Sequence, residues 1–471
     1  MPAGSERGGG LAALIRRQPV CVGPELSVRE ALGRMGAGRV GTVVVVDSAS
    51  FQPLGILTRR DVIERVALVG GDLDAPVASV MTGGVFSLPL QASPHQARLI
   101  LARNDLRHLV VVDESGRVAG VVSRSDLYAN RWPLADDLVE AIQAASSADA
   151  LASAAQRVQA SAAAMVDRGE SAGRINEWIA ILNDLIVLTA IDLAEAEFDL
   201  PLVRWCWLAF GSEGRLEQTL VTDQDNGLIF ATDKGEDADL LRARFLPFAQ
   251  HVNALLDQCG FSLCKGGVMA GNPKWCLSLA EWRGCFAEWM RAARADDLLN
   301  STIFFDFRPL AGDWALPLAL KRWLLQVAAD NPLFLRFMAA NALQSGPPLG
   351  RIRDFVVDRE TGQLDLKRDG CRPFVDAARI YALALGLPET STAGRIRAAG
   401  AALRWDSREC DALVEALEFI QQLRLRRQRV PGAPANRVSP DDLNDLERAF
   451  LKESFRQARR LQHRLQTSYQ L

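Results

Sequence analysis

The sequence predicts a multidomain α+β protein, and three observations along its 471 residues support this prediction. In the first third of the chain a β-α-β-β-α pattern occurs twice, with equivalent residues such as Gly55 and Gly120. A central segment has apolar, strand-like runs on either side of a Gly-Ser turn and two nearby acids. From about residue 318 onward, apolar residues recur at helical spacing to the end of the chain. A chain of this length is expected to form two to four domains.

The duplication is clearest in one short motif. Leu54–Asp61 (LGILTRRD) recurs as Ala119–Asp126 (AGVVSRSD). A β-prone run precedes each copy, at Thr42–Asp47 and at His108–Asp113,. A helix-like segment precedes each of these runs, so the two copies predict the same unit twice.

Two units of this kind resemble a tandem CBS module, over about residues 18–130. The candidate ligand-binding residues are Thr58, Asp61, Ser123 and Asp126. Their hydroxyls can contact phosphate or ribose, and their carboxylates can accept hydrogen bonds from ribose hydroxyls. The two acids could equally be plain caps at helix starts. The resemblance implies an AMP- or ATP-type ligand between the repeats and a homodimer formed through the module.

The central segment predicts a phosphate site beside a metal site. Leu202–Phe210 is apolar and aromatic, which is typical of a buried strand,. Gly211 allows a turn with close backbone approach, and Ser212 offers a hydroxyl and a main-chain N–H to a phosphate. Asp223 and Asp225 lie two residues apart, so on a strand they share a face on which carboxylate oxygens can hold Mg²⁺. Phosphoryl or nucleotidyl transfer needs this combination.

This segment resembles the nucleotidyltransferase superfamily that includes DNA polymerase beta, whose pattern is Gly-Ser followed by Asp-x-Asp. The string GSEGRLEQTLVTDQDNGLIF is most similar to the nucleotidyltransferase domain of bacterial PII-protein uridylyltransferases and their CBS-containing relatives. The resemblance implies that Gly211 and Ser212 bind an NTP triphosphate and that Arg215 positions its phosphates. It also implies that Asp223 and Asp225 bind Mg²⁺ or Mn²⁺. Glu217 is predicted to support Arg215.

The same fold implies a third metal-binding carboxylate on a later strand. Asp306, inside the apolar run Thr302–Arg308, is the predicted residue, since a buried acid is costly unless it is paired or metal-bound,. The alternative is a structural ion pair with Arg308 on the same strand face. Asp233, in a predicted exposed turn, is the weaker candidate.

A glycine-rich segment, Lys265–Trp275, lies between these strands. The resemblance places it at the edge of the active site, where Lys265, Asn272 and Lys274 contact nucleotide or acceptor. The alternative is an ordinary strand-to-helix connection.

Two further regions are predicted to be helical. Residues 131–200 form a helical connector whose apolar stripe suits a signalling helix, a core or a dimer seam. Residues 319–471 resemble the substrate-binding-like helical domain found with these nucleotidyltransferases, and Lys367, Arg379 and Arg395 are candidates to line its cleft. The basic run Arg424–Arg429 is either a solvated helix face or a contact to triphosphate or an acidic acceptor.

Composition excludes several classes of protein. A net charge of −3 with 24% charged residues indicates no broad nucleic-acid-binding surface,. The eight cysteines form no Cys-x-x-Cys and predict a reduced, cytoplasmic protein, and no apolar run is long enough for a membrane span,. No metal-dependent phosphohydrolase His-Asp pair and no C-terminal regulatory repeats occur, so deuridylylation and glutamine sensing are not implied.

These observations together predict a CBS-regulated, Mg²⁺-dependent nucleotidyltransferase of the uridylyl- or adenylyltransferase type, acting in signal transduction. It would transfer NMP from an NTP to a hydroxyl of a protein or small molecule and release pyrophosphate. The alternative is a nucleotide sensor without catalysis. The predicted domains are a disordered start (1–17), the CBS module (18–130), the connector (131–200), the nucleotidyltransferase domain (201–318) and the helical domain (319–471).

Overall fold

The computed structural model describes residues 10–15, 17–104, 106–127, 136–232, 236–292, 302–350 and 355–471. The chain has a multidomain α+β fold and divides into two compact units, Met1–Val139 and Glu140–Leu471. Within the described ranges, no helix has both the length and the apolarity that a membrane crossing requires.

The two sequence repeats of the first unit fold alike. In each repeat a central strand pairs in parallel with one short strand and antiparallel with another, so that Val44 lies opposite Ile56 and Val110 opposite Val121. The sheet orders are β1-β2-β3-β4 and β5-β6-β7. The strands are β1 (Cys21–Val22), β2 (Thr42–Val46), β3 (Pro53–Thr58), β4 (Thr82–Gly83), β5 (Ser87–Pro89), β6 (His108–Val112) and β7 (Val118–Ser123).

Strand β2 is buried on both faces, which explains its continuous run of valines,. Its odd-numbered valines pack with residues of the first repeat, whereas its even-numbered valines pack with Val110 and Val118 of the second repeat. Ser27 and Ser93 cap the helices that precede the central strands,. The helices of this part of the chain are α1 (Val28–Ala37), α2 (Arg59–Val62), α3 (Pro94–Arg103), α4 (Arg124–Leu127) and α5 (Asp136–Gln143).

The second unit is built on a mixed sheet of order β10-β9-β8-β11, in which β8 is antiparallel to both neighbours and β9 is parallel to β10. Every residue of β9 is buried, as its apolar sequence predicts. The strands are β8 (Trp205–Ala209), β9 (Asn226–Phe230), β10 (Cys276–Ser278) and β11 (Arg308–Gly312), and the helices in this part are α6 (Ala148–Asp167), α7 (Ala172–Glu195), α8 (Gly211–Gly214), α9 (Ala238–Gln258) and α10 (Leu279–Ala292).

Helix α7 belongs to the core of this unit and is not an exposed rod. Most of its residues are buried on all sides, and it packs against α6, α9, the β11 strand and a C-terminal helix. A helix that is apolar around its whole circumference must be surrounded by protein. The apolar stripe noted in the sequence is therefore core packing.

The C-terminal part is helical and adds a short antiparallel pair, β12 (Leu364–Asp365) and β13 (Arg437–Val438). One continuous apolar cluster runs from Phe210 beside the sheet to Phe374 and Phe455 in the helices. The sheet and the helical layer therefore pack as one body, which holds their facing surfaces in register. The helices are α11 (Ala315–Ala329), α12 (Pro332–Ala342), α13 (Arg372–Ala384), α14 (Thr392–Ala402), α15 (Ser407–Gln428) and α16 (Asp445–Tyr469).

Candidate active site

The Gly-Ser turn leaves strand β8 and immediately starts the single turn of α8. Gly211 has φ +57°, and a Cβ there would lie 3.2 Å from Asp225 Oδ2 and 2.8 Å from Ile303 Cγ1. Glycine is therefore required both by the left-handed backbone and by the approach of the carboxylate. Among the described residues, the main-chain N–H groups of Gly211, Ser212 and Glu213 have no acceptor. Three donors thus remain for an anion at this turn.

The two acids of the motif lie beside this turn. The N–H of Phe210 donates to the carbonyl of Asp225 (2.8 Å), which ties the turn to the start of β9. Asp223 is exposed and Asp225 is half-buried. Burial raises the pKa of Asp225 to about 7; the nearby charge of Asp223 also raises it, while Cys264, Lys367 and Arg215 oppose the rise. A bound cation would relieve both the burial cost and the repulsion between the acids.

A cavity of about 440 Å³ joins these groups to the helical layer. One wall comes from the segment that holds the turn and the acids, and the other from the start of α13, the turn before it and helix α15. The predicted residues that line the cavity are Gly211, Ser212, Arg215, Glu217, Asp223, Asp225, Lys367 and Arg379. Sequence reasoning missed Cys371, Gln421 and Asn436, which also line it. No local signal marks these three, because they reach the cavity only through the packing of the helices.

The carboxylate pair fits Mg²⁺. Within the described ranges no three His, Cys, Asp or Glu side chains form a cluster that could hold a metal. Mg²⁺ does not need such a cage, because it is commonly held by one or two carboxylates and completes its octahedron with substrate phosphates and water. Asp223 and Asp225, on a cavity that also holds the open N–H groups of the turn, provide such a half-site.

Asp306 has a different role from the predicted one. It is fully buried, does not line the cavity, and accepts from Arg215, Arg379 and Arg395 at 2.5–3.0 Å. Burial opposes ionisation, but the three guanidinium groups hold the pKa of Asp306 well below its usual range. Both carboxylate oxygens are occupied, so no position is open to a metal ion. The acid therefore anchors three arginines, and Arg308, the alternative partner that the sequence suggested, pairs with Asp184.

Arg215 is held in place from two sides. Its Nε donates to Glu217 (2.8 Å) and its Nη1 to Asp306 (2.6 Å). The other oxygen of Glu217 accepts from the N–H of Thr392 at the start of α14. Glu217 thus fixes Arg215 and links it to the helical layer, in the supporting position that the sequence suggested.

The glycine-rich segment lies beside the site without entering the cavity. Lys265 and Lys274 are exposed, and neither they nor Asn272 line it. Asn272 uses its amide locally, donating to Gly267 O (2.8 Å) and accepting from Lys274 N (3.1 Å). The prediction that Lys265 and Asn272 contact nucleotide is not supported. The side-chain amide of Asn272 is hydrogen-bonded within its own turn, and Lys265 is exposed to solvent. Asp233 lies outside the described residues.

A second buried ion pair, between Arg308 and Asp184, holds the main chain of the Gly-Ser turn in place. Arg308 donates to both oxygens of Asp184 in helix α7 (2.6 and 2.8 Å) and to the carbonyl of Glu213 (3.1 Å). Glu213 is itself buried, and burial raises the pKa of its carboxyl to about 8, with Arg308 opposing the rise. The acid inside the apolar sequence of α7 was the available sequence signal for Asp184.

This raised pKa predicts a pH-dependent stability. The folded state binds a proton at Glu213 more tightly than the unfolded state, so stability is lost as pH rises from about 4.5 to about 8,. We expect Glu213→Gln to flatten this loss and to be more stable than wild type at about pH 9. Urea unfolding at about pH 5, 7 and 9 measures the free energy of unfolding at each pH. The control is Glu360→Gln, a substitution of an exposed glutamate. Equal pH profiles for wild type and Glu213→Gln would contradict the assignment.

In the N-terminal repeats, the predicted ligand acids also cap helices. Asp61 accepts from the N–H and hydroxyl of Thr58 and from the Thr82 hydroxyl, and Asp126 accepts in the same way from Ser123. Both oxygens of Asp61 are thus engaged within the protein, whereas the bonds from Ser123 use one oxygen of Asp126, so the capping and ligand roles are not exclusive at Asp126,.

A cavity of about 390 Å³ opens at the second of these motifs. It is lined by Ser123 and Asp126 together with Arg17, Arg39 and His108. This cavity therefore offers cationic groups and an acid to a ligand.

Comparison with known families assigns three regions of the chain. A model described as "CBS domain" matches residues 11–68 and 77–131. A model described as "Putative nucleotidyltransferase DUF294" matches residues 156–296, and one described as "Putative nucleotidyltransferase substrate binding domain" matches residues 332–469. The two motifs of the repeats and the Gly-Ser turn with its acids lie inside the matched ranges.

Individual relatives match about a quarter of the chain. The CBS domain-containing protein YhcV of Bacillus subtilis is 32% identical over 114 residues, which are 24% of this chain and 79% of YhcV. An uncharacterized 17.7 kDa protein of Acidianus ambivalens is 33% identical over 106 residues, which are 22% of this chain and 63% of that protein. This chain thus spans less than two thirds of the Acidianus protein.

Solved structures of two CBS proteins are also similar to part of this chain. The CBS domain protein PAE2072 from Pyrobaculum aerophilum, complexed with AMP, is 27% identical, with 24% of this chain and 86% of that chain covered and a TM-score of 0.23. The CBS-domain protein ATU1752 from Agrobacterium tumefaciens is 36% identical, with 25% and 90% covered and a TM-score of 0.23.

Proposed function

We propose that this chain, which combines a CBS domain pair with the nucleotidyltransferase and substrate-binding domains of the DUF294 family, is a Mg²⁺-dependent nucleotidyltransferase. It transfers NMP from an NTP to a hydroxyl of a protein or small molecule. One observation carries this proposal: in a single cavity, the open N–H groups of the Gly211–Ser212 turn lie beside the half-buried carboxylate of Asp225 and the exposed one of Asp223.

The groups that line the cavity have separate roles in the proposed reaction. The N–H groups of the turn donate to phosphate oxygens of the NTP, as at other anion sites of this kind. Arg215, held by Glu217 and Asp306, offers a guanidinium whose direction is already set,. Asp223 and Asp225 hold Mg²⁺, which when bound neutralises phosphate charge and polarises the α-phosphate.

The reaction exchanges one P–O bond for another. The acceptor hydroxyl oxygen bonds to the α-phosphorus while the bond from that phosphorus to the bridging oxygen breaks. Pyrophosphate leaves with the electron pair, and the acceptor proton passes to water. The wall from the helical layer supplies the surface on which the acceptor is presented, opposite the carboxylates.

The CBS pair is proposed to regulate this reaction in signal transduction by binding an adenine nucleotide. The cavity at Ser123 and Asp126 supports this, since Arg17 and Arg39 suit phosphate and Asp126 suits ribose hydroxyls,. Regulation requires that the nucleotide bind the active and inactive states with different affinity.

Paired substitutions test which motif of the repeats binds the nucleotide. Asp61→Ala and Asp126→Ala each remove the acid that accepts from the N–H and hydroxyl of the residue capping a helix, so the two variants lose matched capping-box interactions,. We expect Asp126→Ala to weaken AMP and ATP binding about ten-fold or more and Asp61→Ala to have a smaller effect, because the cavity opens at Asp126,. Titration calorimetry measures both affinities. A reversed effect would show that the motif at Asp61 is used, and an equal effect would contradict the preference for Asp126.

The activity is tested by transfer of label from α-³²P-labelled ATP and UTP, with Mg²⁺ or Mn²⁺ and host lysate as the source of acceptors. Label on a protein or small molecule that requires the intact acids would establish the transferase, its NTP and its acceptor class. Nucleotide binding without any transfer would instead favour the non-catalytic sensor.

A further inference from the structure

The cations that line the active-site cavity fall into two groups. Four arginines are each paired with a carboxylate: Arg215, Arg368, Arg372 and Arg379. Lys367 and Arg424 line the same cavity and form no ion pair with any carboxylate in the described part of the chain. Each of the four arginines thus already has a carboxylate partner, whereas Lys367 and Arg424 have none among the described residues.

Arg424 is the more unusual of the two. Its residue exposure is only 8%, and its contacts are neutral: Nε donates to Asn436 Oδ1 (3.0 Å), and Nη1 lies 3.9 Å from Cys371 Sγ. A buried guanidinium cannot reduce its cost by losing a proton, because arginine stays charged in proteins. A buried cation without a counter-ion is costly, so a ligand anion is the missing partner.

Gln421 and Lys367 line the same cavity as Arg424 and form a binding surface with it. Gln421 lies one helical turn before Arg424, is 5% exposed and lines the cavity. Its Oε1 accepts from Asn176 Nδ2 (3.3 Å), which leaves its NH₂ group as a donor. Lys367 is exposed at the cavity, and its ammonium is close enough to Asp225 to stabilise that carboxylate's charge. The three side chains thus offer only donors.

We propose that Arg424, Gln421 and Lys367 form a phosphoryl-binding subsite, built by the helical layer and separate from the Gly211–Ser212 turn. This deepens the proposed function and rests on it for the identity of the ligand. A planar guanidinium, an amide NH₂ and an ammonium match the several oxygens of a phosphoryl group. That group is either the terminal phosphate of the NTP or a phosphate on the acceptor, and the chemistry of recognition is the same.

Binding measurements on the full chain test the subsite without requiring transfer. Inorganic phosphate, pyrophosphate and a non-hydrolysable NTP analogue are titrated into wild type, Arg424→Gln and Lys367→Gln. The control is Arg426→Gln, which removes the same charge from the same helix at a position paired with Glu447 and outside the cavity. We expect each subsite variant, but not the control, to weaken phosphate or pyrophosphate binding about ten-fold or more.

A second arm identifies the source of the phosphoryl group. If the terminal phosphate of the NTP occupies the subsite, the saturating analogue excludes inorganic phosphate and the subsite variants weaken the analogue as well. If an acceptor phosphate occupies it, inorganic phosphate still binds beside the analogue and only phosphate binding is weakened.

Equal affinities of the subsite variants and Arg426→Gln for all three probes would overturn the proposal. Lys367 is exposed, so its variant stays interpretable even where Arg424→Gln disturbs folding, and Arg424→Lys is expected to keep part of the affinity. A failed transfer assay with intact phosphate binding would contradict the proposed function and leave the subsite standing.

Discussion

Asp223→Asn and Asp225→Asn are each expected to lower nucleotidyl transfer by about a thousand-fold or more while the fold remains intact. A metal-binding carboxylate acts on the charge that moves in the transition state, and losing one such electrostatic group commonly costs 10²–10³ in rate or more. Neither side chain supports the core, since Asp223 is exposed and Asp225 lies at the cavity. The measurement is single-turnover transfer of label from α-³²P-labelled NTP.

Asp225→Asn is expected to lower transfer but to leave the stability of the fold unchanged or to raise it. Burial and the nearby Asp223 charge raise the pKa of Asp225 above its unfolded value, so ionised Asp225 costs stability as pH rises through about 7,. Asp225→Asn removes that cost, and the metal-free variant should melt at or above the wild-type temperature at about pH 8. Mg²⁺ should raise the melting temperature of wild type and leave that of the double variant, Asp223→Asn with Asp225→Asn, unchanged.

Three results would contradict this assignment. Full transfer by either variant would show that the carboxylates do not hold an essential metal. A large fall in melting temperature on Asp225→Asn would show that the acid is a structural residue. A Mg²⁺ response that survives in the double variant would locate the ion elsewhere.

Asp306→Asn is expected to destabilise the chain strongly, by about 3–5 kcal/mol. The carboxylate is the shared counter-ion of Arg215, Arg379 and Arg395, and it is wholly buried. A neutral amide would leave these guanidinium groups buried with too little negative charge. Urea unfolding measures the effect, and the unfolding midpoint should fall well below that of wild type.

A matched control distinguishes the loss of the buried carboxylate of Asp306 from the loss of an ordinary exposed ion pair. Asp411 forms an exposed pair with Arg397 in the same unit, at 3.9 Å, so Asp411→Asn should change stability by less than about 1 kcal/mol,. If Asp306→Asn instead kept wild-type stability and lost only transfer and the response to Mg²⁺, Asp306 would be restored as a metal ligand.

Local features of this chain could be predicted from sequence because their causes are local. A turn after a buried strand needs a glycine, and Gly211 meets that need with its left-handed backbone. Asp223 and Asp225 both line one cavity, as their spacing suggested, although they precede strand β9 and do not lie on it. The two repeats likewise form the same three-strand arrangement, to which the first repeat adds a fourth short strand.

Charged residues in apolar surroundings could not be assigned in this way. The sequence predicted a metal for Asp306 and offered Arg308, two residues away, as the alternative partner. In the structure Asp306 binds arginines 73–91 positions distant and Arg308 binds Asp184, 124 positions distant. A buried charge takes whichever opposite charge the packing brings to it, and sequence separation does not limit that choice.

Sequence by itself determined the multidomain α+β architecture, the repeats, and the turn and acids of the candidate site, since each follows from periodicity or from the backbone demands of a few adjacent residues. Only the tertiary structure decided that Asp306 anchors arginines and that Arg424 lies buried on the same cavity as Asp223 and Asp225, with no carboxylate partner among the described residues. These facts depend on how helices from distant parts of the chain pack on the sheet, because burial and the choice of counter-ion are properties of the packed molecule.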